Sequence, residues 1–122
     1  MRQWRLIYDT PMNGRRNMAV DEAILEAVIA REVPPTLRLY AWHPPCLSIG
    51  YGQSSRDADK ARIAALGWDW VRRPTGGKAI LHTDELTYSV AVAGEHPFAT
   101  QDIVTSYRTI SHALTAALST LG

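Results

Sequence analysis

The 122-residue chain carries 13 basic and 12 acidic residues, a net charge of +1, with 46% hydrophobic and 20% charged residues. This balance fits one compact globular domain and excludes intrinsic disorder, a fibrous repeat, and a global positive field of the kind that recruits nucleic acid or an anionic membrane. The single cysteine, Cys46, excludes an internal disulfide and a cysteine-rich zinc site. No apolar run approaches the roughly 20 residues of a membrane span, and the start does not read as a signal peptide, so the expected location is the cytoplasm.

Trp4 to Tyr8 reads as a first strand, closed by the turn-forming stretch Asp9 to Gly14. A helix follows, with Asn17 as its N-cap, Asp21 and Glu22 at the positive end of its dipole, and an apolar stripe of Val20, Ile24, Ala27 and Val28. Pro34-Pro35 is expected to end it. Leu37–Trp42 and Leu47–Tyr51 read as two strands of one sheet, separated by the bend His43-Pro44-Pro45. Ser54-x-x-Asp57 has capping-box-like spacing ahead of a short helix through Ile63 and Leu66, which Gly67 terminates. Trp68 to Arg73 is a further strand. Pro74-Thr75-Gly76-Gly77 breaks it, and Ala79–His82 and Leu86–Val92 follow as strands, the second with Leu86, Tyr88, Val90 and Val92 on one face. A long helix from Asp102 carries Ile103, Tyr107, Ile110, Leu114, Ala117 and Leu121 on one side, with Gly122 to cap it. No internal repeat or flexible linker interrupts this pattern.

Chemistry concentrates between Arg72 and His82. Paired glycines permit positive φ and close approach of a ligand to the backbone, and the amides of such a turn suit an anion or a carbonyl oxygen. Arg72, Arg73 and Lys78 surround it with positive charge. A solvated hairpin turn explains the same spacing equally well, and the pattern is not a Walker phosphate loop. His43, His96 and His112 are scattered, so no metal site is expected. Trp42, Trp68, Trp70 and Tyr51 read as core in preference to the walls of an acyl channel, and Cys46 as a buried structural thiol.

The stretch Val71 to Val90 resembles the lipoate-protein ligase and octanoyltransferase family, whose pattern of two arginine-type positions, a Gly-Gly turn, a small residue, an aliphatic pair and a histidine matches Arg72-Arg73, Gly76-Gly77, Ala79, Ile80-Leu81 and His82. Asn17–Ala23 is similar to the family's first-helix signature, and Leu39–His43 with Ser48–Gln53 to its next strand pair. The resemblance implies the N-terminal part of a biotin/lipoate protein ligase type of catalytic domain: an α/β (α+β) fold with a mixed, largely antiparallel sheet flanked by helices, spanning residues 1–122 and incomplete.

Lys78, where the ligases carry a third glycine, and His82-Thr83, where they carry His-Asp, make the chain more similar to the cysteine-using bacterial octanoyltransferases. That branch implies no cofactor, transfer of an octanoyl group from octanoyl-acyl carrier protein to a lysine of a lipoyl-domain protein, and a nucleophilic cysteine downstream of residue 122. The ligase branch implies free lipoate, ATP and Mg, a lipoyl-AMP intermediate, and a downstream lysine. A third expectation is a non-catalytic acyl- or carrier-binding subunit that a second chain completes. The implied substrate-binding residues are Arg72, Gly76, Gly77, Lys78, Ala79 and His82. None of the 122 residues is assigned as catalytic.

Overall fold

The computed structural model describes residues 3–122, so Met1 and Arg2 at the start of the chain lie outside it. In chain order the elements are β1 (Arg5–Tyr8), α1 (Gly14–Ile29), β2 (Thr36–Tyr40), β3 (Cys46–Ile49), a 3-10 turn (Ser55–Asp57), α2 (Lys60–Ala65), β4 (Asp69–Arg72), β5 (Ile80–His82), β6 (Thr87–Ala91), α3 (Pro97–Thr100) and α4 (Ile103–Ser119).

The fold is mixed α/β, and its strands lie in two three-stranded sheets of order β1-β2-β6 and β4-β3-β5. Each sheet is built alike. A β-α-β unit places two strands in parallel (β1 with β2, β3 with β4), and a later strand pairs antiparallel with the centre (β6 with β2, β5 with β3). The expectation that Leu37–Trp42 and Leu47–Tyr51 share a sheet is therefore corrected. β2 and β3 are each the central strand of their own sheet, with both edges already paired, and the His43–Pro44 bend carries the chain from one sheet to the other. The glycine turn is likewise no hairpin, since β3 lies between β4 and β5.

Helix α1 begins one turn before the expected position. Asn13 is the N-cap, in extended conformation, and its side chain accepts from the Arg16 amide at 2.9 Å. Asn17 instead lies inside the helix and is wholly buried. Gly14 can start the helix there because it has no side chain: a β-carbon on it would sit 2.4 Å from Cys46 Sγ. The helix also ends before the prolines, because Arg31 turns the chain into the left-handed region at φ 61° while its amide and that of Glu32 bond back to Val28 and Ala27. Ser54 caps the 3-10 turn, and Asp59 caps α2. Gly67, at φ +70°, follows α2 as the spacing indicates.

Three apolar clusters fill the interior. Met18, Tyr40, Trp42, Cys46 and Val71 join α1 to both sheets; Ile24, Val28 and Ala91 pack α1 on the first sheet; Ile49, Ala58 and Ile63 pack α2 on the second. Helix α4 forms as expected, yet none of its residues is buried: Ile110 and Leu114 are half-covered, while Ile103 and Tyr107 are exposed. Asp102 caps it by accepting from the Thr105 amide, and the Thr105 hydroxyl, followed by that amide, holds its carboxyl below the ordinary range.

Candidate acyl-binding site

A cavity of about 380 Å³ opens between the two sheets. β2 and β6 contribute Tyr40, Tyr88, Ser89 and Val90; β3 and β5 contribute Ser48, Ile80 and His82; Arg73 to Gly76 close one end, and Met18 and Asp21 of α1 form part of the wall. A larger cavity of about 480 Å³ lies at the far end of α1, between Val28, Pro34, Ala93 and Pro97, and contains none of the candidate site residues. Chemistry and not size makes the first the candidate site.

Under its floor is a buried cation. Arg38 has no exposed side-chain surface, and its guanidinium donates to Asp9 Oδ2 (2.7 Å), Asp21 Oδ1 (2.9 Å), the Asn17 carbonyl (3.0 Å) and Asn17 Oδ1 (3.0 Å). Asn17 Nδ2 in turn donates to the carbonyls of Met12 and Ala41. Tyr40 Oη and Ser89 Oγ both donate to Asp21 at 2.8 Å. Burial, followed by the Asp21 charge, holds the Tyr40 phenol far above its ordinary range. Asp21 therefore serves as an anionic hub joining α1, β2 and β6, in place of the helix-dipole role that its position in sequence indicates.

A second network crosses the site. His82 is buried with its ring stacked on Trp42 at 4.0 Å between centroids and 10° between planes. His82 Nε2 lies 2.8 Å from Ser48 Oγ, and Nδ1 lies 3.0 Å from Glu85 Oε1. Thr87 Oγ1 donates to Glu85 Oε2, and Trp42 Nε1 donates to Thr87 Oγ1. The proton positions follow from the ends of the chain. A carboxylate only accepts, so Nδ1 of a neutral His82 carries the proton and Nε2 accepts from the Ser48 hydroxyl. Arg73 only donates, and its Nη1 bonds to Ser48 Oγ and to the Ser48 carbonyl, both at 3.1 Å. Burial holds His82 below its ordinary value; Glu85 opposes that shift and Arg73 reinforces it.

Arg73 also shapes the glycine turn, because its Nη2 donates to the carbonyls of Gly76 (2.8 Å) and Lys78 (2.7 Å). Gly77 has φ +95°. With the carbonyls of Gly76 and Lys78 taken by Arg73, the amides of Gly76, Gly77 and Lys78 donate to no protein acceptor among the described residues. The turn therefore presents backbone donors beside an apolar cavity, an arrangement that can hold a carbonyl oxygen or an anion.

Of the sequence candidates, the structure brings Gly76 and His82 to the cavity wall, with Gly77 next to Gly76 in the turn. Arg72 points elsewhere: its Nη1 donates to the carbonyls of Gly50, Tyr51 and Gln53, and its side chain borders a separate groove with Arg15, Glu22 and Trp70. Lys78 and Ala79 are exposed beside the turn. Trp42 is both core and cavity wall, and Trp68 and Trp70 pack against the cluster around Ile49. Tyr51, expected in the core, is 70% exposed, because the chain leaves β3 at Gly50 and pairs its Tyr51 amide with the Thr75 carbonyl. Cys46 is buried as expected, and burial with the nearby Asp69 pushes its thiol up to about 12. No cluster of three or more metal-ligating side chains occurs among the described residues.

Sequence reasoning missed Arg38, Ser48 and Glu85. The polar residues Arg38 and Ser48 at alternate positions of apolar strands were the available signal for the first two. For Glu85 it was the His-x-x-Glu-x-Thr spacing, which returns a carboxylate to the histidine.

Comparison with known proteins gives a consistent picture. Residues 13–122 match the family model described as the lipoyl protein ligase A/B catalytic domain. Octanoyltransferase LipM of Kyrpidia tusciae is 48% identical over 123 residues, covering all of this chain and 45% of that protein. Octanoyltransferase LipM of Clostridioides difficile is 44% identical with the same coverage. Among solved structures, a putative lipoate protein ligase from T. acidophilum with bound lipoic acid superposes with a TM-score of 0.81 at 32% identity, over all of this chain and 49% of that one. A lipoate-protein ligase A bound with ATP gives 0.83 at 31% identity, over all of this chain and 48% of that one. The chain thus spans about half the length of the relatives it matches.

Proposed function

Because the chain belongs to the family of lipoyl protein ligase A/B catalytic domains, we propose that it is the N-terminal, acyl-binding part of a cytoplasmic octanoyltransferase that acts in protein lipoylation. The observation that carries this reading is the 48% identity to an octanoyltransferase across the whole chain, in a molecule whose two sheets enclose an apolar cavity ending at a turn of unengaged amides. The octanoyl chain lies between Trp42, Tyr88, Val90 and Ile80, and its carbonyl oxygen receives the amides of Gly76 and Gly77. Lys78, exposed next to that turn, meets the phosphate of a carrier-protein arm.

The covalent steps fall to the remainder of the protein. A cysteine thiolate there takes the octanoyl group from the thioester of octanoyl-acyl carrier protein, releasing the carrier thiol. The amine of a lipoyl-domain lysine then displaces the cysteine, giving an amide and returning the thiol with the amine's proton. With about 0.8 kcal/mol per buried methylene, an eight-carbon chain supplies several kcal/mol of binding and a coarse selection of length.

A second reading has its own support in the superposition on an ATP-bound lipoate-protein ligase. That reaction needs free lipoate, ATP and Mg. Incubating the whole protein with a lipoyl-domain acceptor separates the readings. Octanoyl-acyl carrier protein without nucleotide is expected to add an octanoyl mass to the acceptor. Modification that requires lipoate and ATP overturns the transferase reading in favour of the ligase. No modification under either condition leaves a non-catalytic binding subunit.

A further inference from the structure

We infer that Ser48 and Glu85 are positioning residues that hold the glycine turn in its amide-exposing shape, acting through His82 and Arg73. The inference rests on the acyl-binding role proposed for that turn.

His82 is not placed as a free general base. Both ring nitrogens are engaged, Nε2 by Ser48 and Nδ1 by Glu85, and one ring face is covered by Trp42. Ser48 is no nucleophile either, since it is wholly buried and its oxygen already accepts from Arg73. What the two residues do is complete a one-directional chain of hydrogen bonds, running from Arg73 through Ser48 and His82 to Glu85. Thr87, itself tied to Trp42, holds the second oxygen of Glu85 and fixes that carboxylate.

The chain matters because a guanidinium is planar and rigid. Arg73 places Nη1 on Ser48 and Nη2 on the carbonyls of Gly76 and Lys78, so the direction of one amino group dictates that of the other. Removing the Ser48 hydroxyl leaves Arg73 with the Ser48 carbonyl alone on that side. The fork can then rotate, and the turn carbonyls rotate with it. Protonation of His82 acts on the same point: Nε2 becomes a donor, the Ser48 proton loses its acceptor, and a second cation stands beside Arg73. The groups that set this balance are Glu85 and Arg73, together with the Trp42 ring.

The test uses the whole protein labelled with 15N-glycine and 15N-histidine. In the parent, the amide signals of Gly76 and Gly77 are expected to move with pH along the His82 titration. Ser48→Ala is expected to remove at least half of that pH dependence and to lower kcat for octanoyl transfer tenfold or more with KM within threefold, since misplaced donors act on the reacting geometry. Glu85→Gln is expected to move the His82 titration, and the acid limb of kcat with it, to lower pH. A residue that merely supports folding does not shift that limb.

Gly76 and Gly77 signals that stay fixed through the His82 titration in the parent overturn the inference. So does a Ser48→Ala or Glu85→Gln protein with parental kcat and an unmoved acid limb. Should Ser48→Ala fail to fold, Glu85→Gln decides by the direction of its shift. A protein that transfers no octanoyl group refutes the proposed function, and the amide signals still decide the positioning chain.

Discussion

Gly50 and Gly77 pack so closely that a β-carbon on Gly50 would stand 1.9 Å from the Gly77 carbonyl oxygen. The neighbour is backbone, which cannot swing aside. Gly50→Ala is therefore expected to displace the glycine turn and to destabilise the fold by about 1–3 kcal/mol, the range for inserting a group into filled space. Gly52→Ala is the control, because nothing lies within 4 Å of its β-position. Urea denaturation of the two variants compares them; equal midpoints would refute the contact.

Gly77 itself combines φ +95° with a β-position 3.0 Å from Arg73 Nη2. Gly77→Val is expected to abolish acyl-group binding in the whole protein, by straining the turn and by dislodging Arg73. Lys78→Ala removes a charge from an exposed position and is expected to weaken a phosphate-bearing donor while sparing free octanoate. Calorimetry with both ligands reads the difference. Affinities of Gly77→Val within threefold of the parent, about 0.65 kcal/mol, would place the ligand elsewhere.

Replacing the buried cation tests the support beneath the cavity. Arg38→Leu leaves Asp21 and Asp9 without their shared partner and is expected to cost about 3–5 kcal/mol, as breaking a buried ion pair does. Ser89→Ala removes one hydrogen bond to Asp21 and is expected to cost about 1 kcal/mol. Denaturation midpoints that rank these two the other way would show that Asp21 does not depend on Arg38.

Stability is expected to fall at both ends of the pH scale for separable reasons. His82 is held below 6.5 in the folded state, so the unfolded chain takes up its proton first. That contribution is complete above about pH 6.5 and is lost as pH falls through the folded value. Cys46 is held up at about 12 from 9.0, so its contribution is complete below pH 9.0 and lost as pH rises towards 12. Thermal melts of His82→Gln and Cys46→Ala against pH are expected to flatten the acid and alkaline limbs respectively. A variant whose limb keeps the parental slope removes its residue from that account.

Much of the element order was legible because it rests on local chemistry. Turn formers punctuate short apolar runs, Gly67 ends α2, and the spacing from Asp102 onward marks α4. The division into two sheets was not, because it depends on which edges of β2 and β3 are already occupied, a property of long-range pairing. The first turn of α1 was misplaced for a related reason. Asn17 is as good a cap as Asn13 by residue type, but the buried Arg38, 21 residues away, and the carbonyls of Met12 and Ala41 claim its side chain. The glycine turn stood out in sequence, whereas Arg73 and Arg72 looked alike there. Their different tasks come from alternation along extended backbone: Arg72 ends β4 and Arg73 follows it, so their side chains leave on opposite sides and that of Arg73 reaches the cavity.

Two facing walls of the cavity belong to separate sheets, and among the described residues no ladder of backbone hydrogen bonds runs between those sheets. Side chains join them instead, among them a clasp in which Glu85 grips His82 of one sheet and Thr87 of the other, with Trp42 leaning on both. Such a slot can be regauged. Exchanging clasp residues is expected to alter the gap while each sheet keeps its own pairing, so the cavity can be widened or narrowed without redesigning the framework.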